Sequence, residues 1–379
     1  MIAARQIAFG KAAGKKEEPP AYWWLCFTAE EAGSTVAMQA VGSAPAVTLE
    51  TSFDGEIWEP FTVGETTITL PNVGDKVYFR AGEGGNTAMA SSVNDYNNFS
   101  IITGRIAASG NIMSLLNGDS PDSIIATHCY YSMFRDCTAL VQAPELPATT
   151  LAGSCYNSMF YGCTSLAQAP ELPATTLAGS CYANMFRDCT ALAQAPELPA
   201  TTLLRTCYAS MFRDCTALVQ APELPATTLD ISCYNSMFYG CTALAQAPEL
   251  PATTLLRTCY ANMFRDCTAL VQAPELPATT LDVSCYNGMF SGCTALVQAP
   301  ELPATTLKGY CYRYMFRYCI NIDCIKCSFK AFALDGTNNW LSGVSSTGTF
   351  ICPTALGTNE TIQRGISYCP EGWTVINKD

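Results

Sequence analysis

The sequence predicts a mixed α/β repeat solenoid of eight 26-residue units, preceded by an all-β sandwich-like domain. Three observations predict it. Cysteines fall at 129, 155, 181, 207, 233, 259, 285 and 311, and a second set falls at 137, 163, 189, 215, 241, 267, 293 and 319. Both sets step by 26 residues, and together they hold 16 of the 21 cysteines. The segments between them repeat nearly unchanged as CYxxMFxxCTxLxQAPELPATTLxxx, the last copy being cut short after Cys319. Upstream, short alternating runs are broken by turn residues. A fixed period of about 20–50 residues marks a chain that stacks one small unit on the next.

The unit divides in two. In the first copy Tyr130, Met133, Phe134 and Cys137 sit at i, i+3, i+4 and i+7, which predicts one face of a short helix. The position just before the second cysteine is Asp136 in the first copy and glycine in others, Gly162, Gly240 and Gly292, which suggests a left-handed cap. Leu140, Ala143 and Leu146 then point one way in an extended run bracketed by Pro144 and Pro147, which forbid a longer helix. Ala148-Thr149-Thr150-Leu151 returns the chain to the next unit. One unit cannot fold alone. It buries about five large apolar side chains at roughly 1.5–3 kcal/mol each, against an ordering cost of about 1–2 kcal/mol for every residue. Stacking supplies the difference, so the array holds only as an array.

The flanks complete the organisation. Residues 1–21 read as an N-terminal arm or anchoring peptide. Residues 22–104 read as the β-sandwich-like domain: Thr48–Phe53 and Ile57–Phe61 flank Asp54-Gly55, a hairpin signal, and Ile68–Leu70 and Lys76–Arg80 continue the pattern. Residues 105–319 hold the solenoid, with 105–128 as its N-terminal cap, and residues 320–379 cap the other end.

Composition removes several functions. The 379 residues carry a net charge of −12, and an acidic chain lacks the basic face that nucleic acid requires. No stretch approaches the roughly 18 apolar residues of a membrane span. The start, MIAARQIAFGKAAGKKEEPP, has no apolar run of signal-peptide length. If Met1 is the true start, the expectation is synthesis in a cytosol without ordinary export. The single histidine, His128, leaves few general bases, and it reads as a cap residue rather than a partner for Cys129. There is no phosphate-binding loop and no acid/base constellation.

MFxxCTxLxxAPELPATTL resembles the BspA-type leucine-rich repeats of surface proteins in gut and oral bacteria and their phages. The ending NWLSGVSSTGTF…CPEGWTV resembles the closing segment of such proteins, so the likeness covers about residues 105–379. The present unit is longer, with Ala-Pro-Glu-Leu-Pro where a β-branched strand is usual. The resemblance implies a leucine-rich-repeat-like solenoid used for adhesion or partner binding, with no particular ligand.

Three sets of residues are candidate sites. The cysteines have three readings: small hydrophobic filler, disulfides between stacked rungs, or zinc near Cys311, Cys319, Cys324 and Cys327. The plainest is filler. Glu145, Glu171, Glu197, Glu223, Glu249, Glu275 and Glu301 form an acidic ladder once the rungs stack. Neighbours about 4.8 Å apart repel by roughly 0.9 kcal/mol in water, so the ladder is either a solvated face or a stripe for cations such as calcium. Finally, the position after Met-Phe varies: Arg135, Tyr161, Arg187, Arg213, Tyr239, Arg265, Ser291 and Arg317. From the fourth unit the linkers alternate as well, with a 52-residue super-period. Invariant positions are core and variable ones face solvent. An exposed Arg/Tyr stripe is the chemistry of interfaces and of sugar stacking, against the plainer reading of an ordinary polar surface.

The expected function is therefore non-enzymatic. The first reading is a phage virion protein, a tail or head fibre or a decoration protein. Its arm would dock on other virion proteins, and its solenoid would meet a glycan or protein of the host surface. The second is a bacterial surface adhesin, and the third a polysaccharide-degrading solenoid. Homo-oligomers are compatible with any of these, although no heptad repeat specifies one.

Overall fold

The computed structural model describes residues 23–116, 123–124, 126–333 and 335–378. The arm predicted at 1–21 lies outside the described residues. The chain forms a β-solenoid of about ten turns with almost no helix. Its helical content includes two short 3-10 turns, Ile112–Leu115 and Thr354–Leu356.

The predicted α component is therefore corrected, and the backbone gives the reason. Three residues in every unit hold φ near +54° to +80°, four residues apart: His128, Ser132 and Asp136 in the first, Thr206, Ser210 and Asp214 in the fourth. A left-handed residue every fourth position breaks any α-helix. Amide bonding then alternates. Met211 N–H donates to Tyr208 O (3.2 Å) and Arg213 N–H to Ser210 O (3.2 Å), closing tight turns within the rung. Between them Tyr208, Ser210, Phe212 and Asp214 donate to Cys233, Asn235, Met237 and Tyr239 of the next rung, at 2.7–3.1 Å. In the turn closed by Met211, the left-handed Ser210 is the third residue, which is the position where a type II turn needs positive φ. A four-residue period places Tyr130, Met133, Phe134 and Cys137 on one side as well as a 3.6-residue period does. Hence the helical pattern without the helix.

These side chains fill the interior as columns. Tyr130, Tyr156, Tyr182, Tyr208, Tyr234, Tyr260, Tyr286 and Tyr312 stack with ring centroids 5.7–5.9 Å apart. The phenylalanines from Phe134 to Phe316 stack at 5.4–5.7 Å. Stacked aromatic pairs add about 0.5–1.5 kcal/mol each beyond their area. The other half of the rung is extended. Parallel bridges join Gln142, Gln168, Gln194, Gln220, Gln246, Gln272 and Gln298 in register, and Thr150-Leu151 pairs with Thr176-Leu177. The prolines of Ala-Pro-Glu-Leu-Pro keep this stretch from forming a continuous ladder.

Cysteine is core. Twenty of the 21 are buried, Cys324 is exposed, and the thiols are unbridged. Those of the second set also bond between rungs: Cys163, Cys189, Cys215, Cys241, Cys267, Cys293 and Cys319 each donate S–H to a phenylalanine carbonyl of the preceding rung, at 3.0 Å.

Both ends are covered. In the N-terminal part, β1 (Leu25–Ala29), β2 (Ser34–Val41), β3 (Leu49–Ser52), β4 (Glu59–Phe61), β5 (Thr67–Leu70), β6 (Lys76–Ala81), β7 (Tyr96–Thr103) and β8 (Ile106–Ser109) form two sheets. One runs β8-β1-β6-β3-β4 and the other β5-β2-β7. Phe27 and Phe79 of the first meet Phe99 of the second edge-on at 4.9 and 5.3 Å. β8 pairs with Leu140–Gln142 of the first unit, Phe99 N–H donates to Met133 O, and Phe99 stacks on Phe134. At the far end Phe316 N–H donates to Trp340 O, and Trp340 lies on Tyr312. Strands Cys324–Lys326, Gly348–Cys352 and Trp373–Asn377 continue the parallel stacking.

Burial raises the thiol pKa values: those of Cys129, Cys207 and Cys319 to about 12, those of Cys259 and Cys311 to about 11, against 9.0 for a free thiol. Their ionised forms belong to the unfolded chain. Stability is therefore full below pH 9 and falls as pH rises from 9 toward 12, by about 1.4 kcal/mol per pH unit for each ionising thiol. Urea melts from pH 7 to 11 check this. A midpoint independent of pH above 9 contradicts interior thiols.

Candidate functional site

The variable position forms one half-exposed column on the turn side of the solenoid. Its residues are held by their neighbours. Arg135 lies over the Tyr161 ring at 4.6 Å and Arg187 over the same ring at 5.3 Å. Arg213 and Arg265 lie over Tyr239 at 4.3 and 5.5 Å. The column therefore contains two Arg–Tyr–Arg sandwiches over six consecutive rungs. Buried Ser291 then interrupts it before Arg317.

Each sandwiching arginine also meets the aspartate beside it: Arg135–Asp136 at 3.3 Å, Arg187–Asp188 at 3.6 Å, Arg213–Asp214 at 3.1 Å and Arg265–Asp266 at 3.6 Å. These pairs are partly exposed, so each adds about 0–1 kcal/mol, and each cation–π contact adds about 0.5–1 kcal/mol. Their greater effect is on charge, because a paired Arg and Asp cancel. Asp and Gly are coupled in register as well. A Cβ on Gly162 would overlap the Asp136 carboxylate, and one on Gly240 or Gly292 would overlap that of Asp214 or Asp266. At these three steps the aspartate leans over the next rung and glycine there makes room, whereas Asp188 is followed by Asp214. The variable column is thus partly a packing device. Sequence patterning alone did not mark its aspartates as partners, although Asp136 and its equivalents adjoin every arginine of the column but Arg317.

The glutamates Glu145, Glu171, Glu197, Glu223, Glu249, Glu275 and Glu301 are all exposed. They lie three residues beyond the in-register glutamine bridges, on the proline-rich face. Glu301 pairs with Lys326 of the cap at 2.6 Å. A shallow groove of about 550 Å³ lies between rungs here, lined by Gln246–Pro251 and by residues of 272–277 including Glu275. The cysteines suggested for zinc are separated: Cys311 and Cys319 sit in different interior columns, while Cys324 is exposed. Among the described residues no three His, Cys, Asp or Glu side chains are grouped to hold a metal ion. His128 occupies the first left-handed position of the first rung, edge-on to Tyr131.

No protein-family model matches the chain, and no curated protein matches it. Among the described residues no helix is long and apolar enough to cross a membrane.

An acidic column that holds calcium raises the melting temperature in millimolar calcium over excess chelator. An identical melt in both leaves the seven glutamates as a solvated face.

Proposed function

We propose that this chain is a non-enzymatic structural and binding protein, a virion fibre or decoration protein whose solenoid meets the surface of a bacterial host. One observation carries the binding reading. The repeat keeps its buried residues almost unchanged, and its changes fall mostly at exposed and half-exposed positions, among them the linkers and one column rich in Arg and Tyr. Residues that pack cannot vary, because overfilling or emptying the columns costs a few kcal/mol each time. Residues that vary within so regular an array are free to suit a partner. Arg and Tyr are the side chains that bind through planar faces with little entropy to lose.

The virion setting rests on the resemblance of the repeat and of the closing segment to BspA-type proteins, which occur in phages as well as on bacteria. A leucine-rich-repeat-like use of the solenoid belongs to the same reading, as does docking of the N-terminal arm on the particle.

Mass spectrometry of purified virions is expected to find peptides of this chain in stoichiometric amount. Purified protein is expected to decorate host cells, and substituting Tyr161 and Tyr239 with Ala together is expected to weaken that decoration several-fold. Absence from particles contradicts the virion assignment, and absence of cell binding contradicts the binding reading.

A further inference from the structure

The eighth unit departs from the other seven in a direction that folding does not favour. The three left-handed positions hold His, Ser or Thr first, Ser, Asn or Gly second, and Asp or Gly third, in every unit from the first to the seventh. In the eighth all three are tyrosine: Tyr310, Tyr314 and Tyr318, at φ +59°, +57° and +63°. Bulky side chains rarely occupy this region, and residues held there cluster at functional sites. Packing does not call for them, since Tyr310 is 40% and Tyr318 49% exposed. The Tyr318 ring lies over Gly343, where a Cβ would come within 2.8 Å of it, so the cap has left room for the ring.

The residues between them change too. Arg313 stands where the other units carry Tyr, Asn or Ala, and Tyr318 stands where Asp neutralises Arg135, Arg187, Arg213 and Arg265. The unit has gained a cation and lost a carboxylate. The five side chains form an alternating row. Arg313 lies over Tyr310 (5.4 Å) and Tyr314 (4.5 Å), and Arg317 over Tyr314 (5.2 Å) and Tyr318 (4.5 Å). Arg313 donates to the Tyr314 hydroxyl at 2.8 Å and Arg317 to that of Tyr318 at 2.7 Å. Among the described residues neither arginine has a carboxylate partner, and each guanidinium keeps donors beyond the one it uses here.

We infer that the Tyr310–Arg313–Tyr314–Arg317–Tyr318 row is a binding site for an anionic polysaccharide. Tyr314 lies between the two arginines, and the exposed parts of the Tyr310 and Tyr318 rings at either end of the row suit the apolar faces of sugar rings. Two unneutralised guanidinium forks between them suit carboxylates repeated along the same chain. On a protein of net charge −12, such a row attracts a polyanion only locally, so the contact is short and specific. This inference rests on the binding reading above and names the ligand class for one end of the array.

The test uses the full chain and immobilised polygalacturonate, with neutral dextran beside it. Polygalacturonate is expected to bind, more weakly as salt rises, and dextran is expected to bind at least tenfold less tightly. The variant Tyr310→Ser/Tyr314→Ser/Tyr318→Asp restores the residues of the other units. It is expected to melt at the same or a higher temperature and to bind polygalacturonate at least tenfold more weakly. Arg313→Gln/Arg317→Gln, which leaves the backbone positions alone, is expected to lose as much. Binding within twofold of the parent in both variants overturns the inference, as does a parent that ignores polygalacturonate or holds dextran equally well. A parent that decorates host cells yet ignores polygalacturonate sinks this inference and leaves the binding reading standing. Loss of cell decoration in the variants without any polygalacturonate binding assigns the row to a protein partner instead.

Discussion

The structure depends on one backbone constraint, a left-handed residue at every fourth position of the turn segment. It converts a sequence with helical spacing into a flat staircase of tight turns. Alternate amides are thereby aimed out of the rung, along the solenoid axis, where they meet carbonyls of the next rung. Without Ser210 and its equivalents at positive φ, Tyr208 and Phe212 could not bond to Cys233 and Met237. Rung would not find rung, and the aromatic columns would have no common axis. The intrinsic cost is about 1–2 kcal/mol for each left-handed residue that is not glycine. Ser, Asn and Asp keep that cost low because their short side chains bond locally. Inter-rung hydrogen bonds and stacked rings offset it only when rungs are stacked.

The same geometry accounts for the composition. Each rung has room for one ring of each kind and two small side chains, and cysteine fills the small places with a donor to spare. Its S–H reaches a phenylalanine carbonyl of the preceding rung, a bond that alanine could not make. Cysteine density here reflects packing in a thin interior rather than a bridged scaffold. Glycine follows three of the four aspartates for a related reason, since the carboxylate of Asp136, Asp214 or Asp266 occupies the space that a side chain would take in the next rung; Asp188, followed by Asp214, is the exception.

The solenoid was legible in the sequence, because a unit of 26 residues is too short to fold by itself and must stack on its copies. So was the interior place of cysteine. The helix was not legible as an error, since apolar residues at i, i+3, i+4 and i+7 fit a four-residue turn and a 3.6-residue helix alike over so short a span. The Asp/Gly position is left-handed, as its residue types suggest, while Ser132, Asn184 and Ser210, four residues earlier in their units, carry the same signal without glycine to announce it. Of the exposed column, position and residue types were readable, but its charge balance was not. The aspartates of the four Arg–Asp pairs cancel their arginines, and only the eighth unit escapes, where tyrosine replaces aspartate. That contrast needs coordinates, because it depends on which ring each arginine covers.

The most direct test of the turn geometry compares Ser210→Gly with Ser210→Ala by equilibrium unfolding. Glycine adopts positive φ without strain, whereas alanine keeps the Cβ that makes this region costly. In an α-helix the order reverses, alanine being better by about 1 kcal/mol. The account predicts Ser210→Gly to be more stable than Ser210→Ala by about 1 kcal/mol or more. Greater stability of the alanine variant would contradict it.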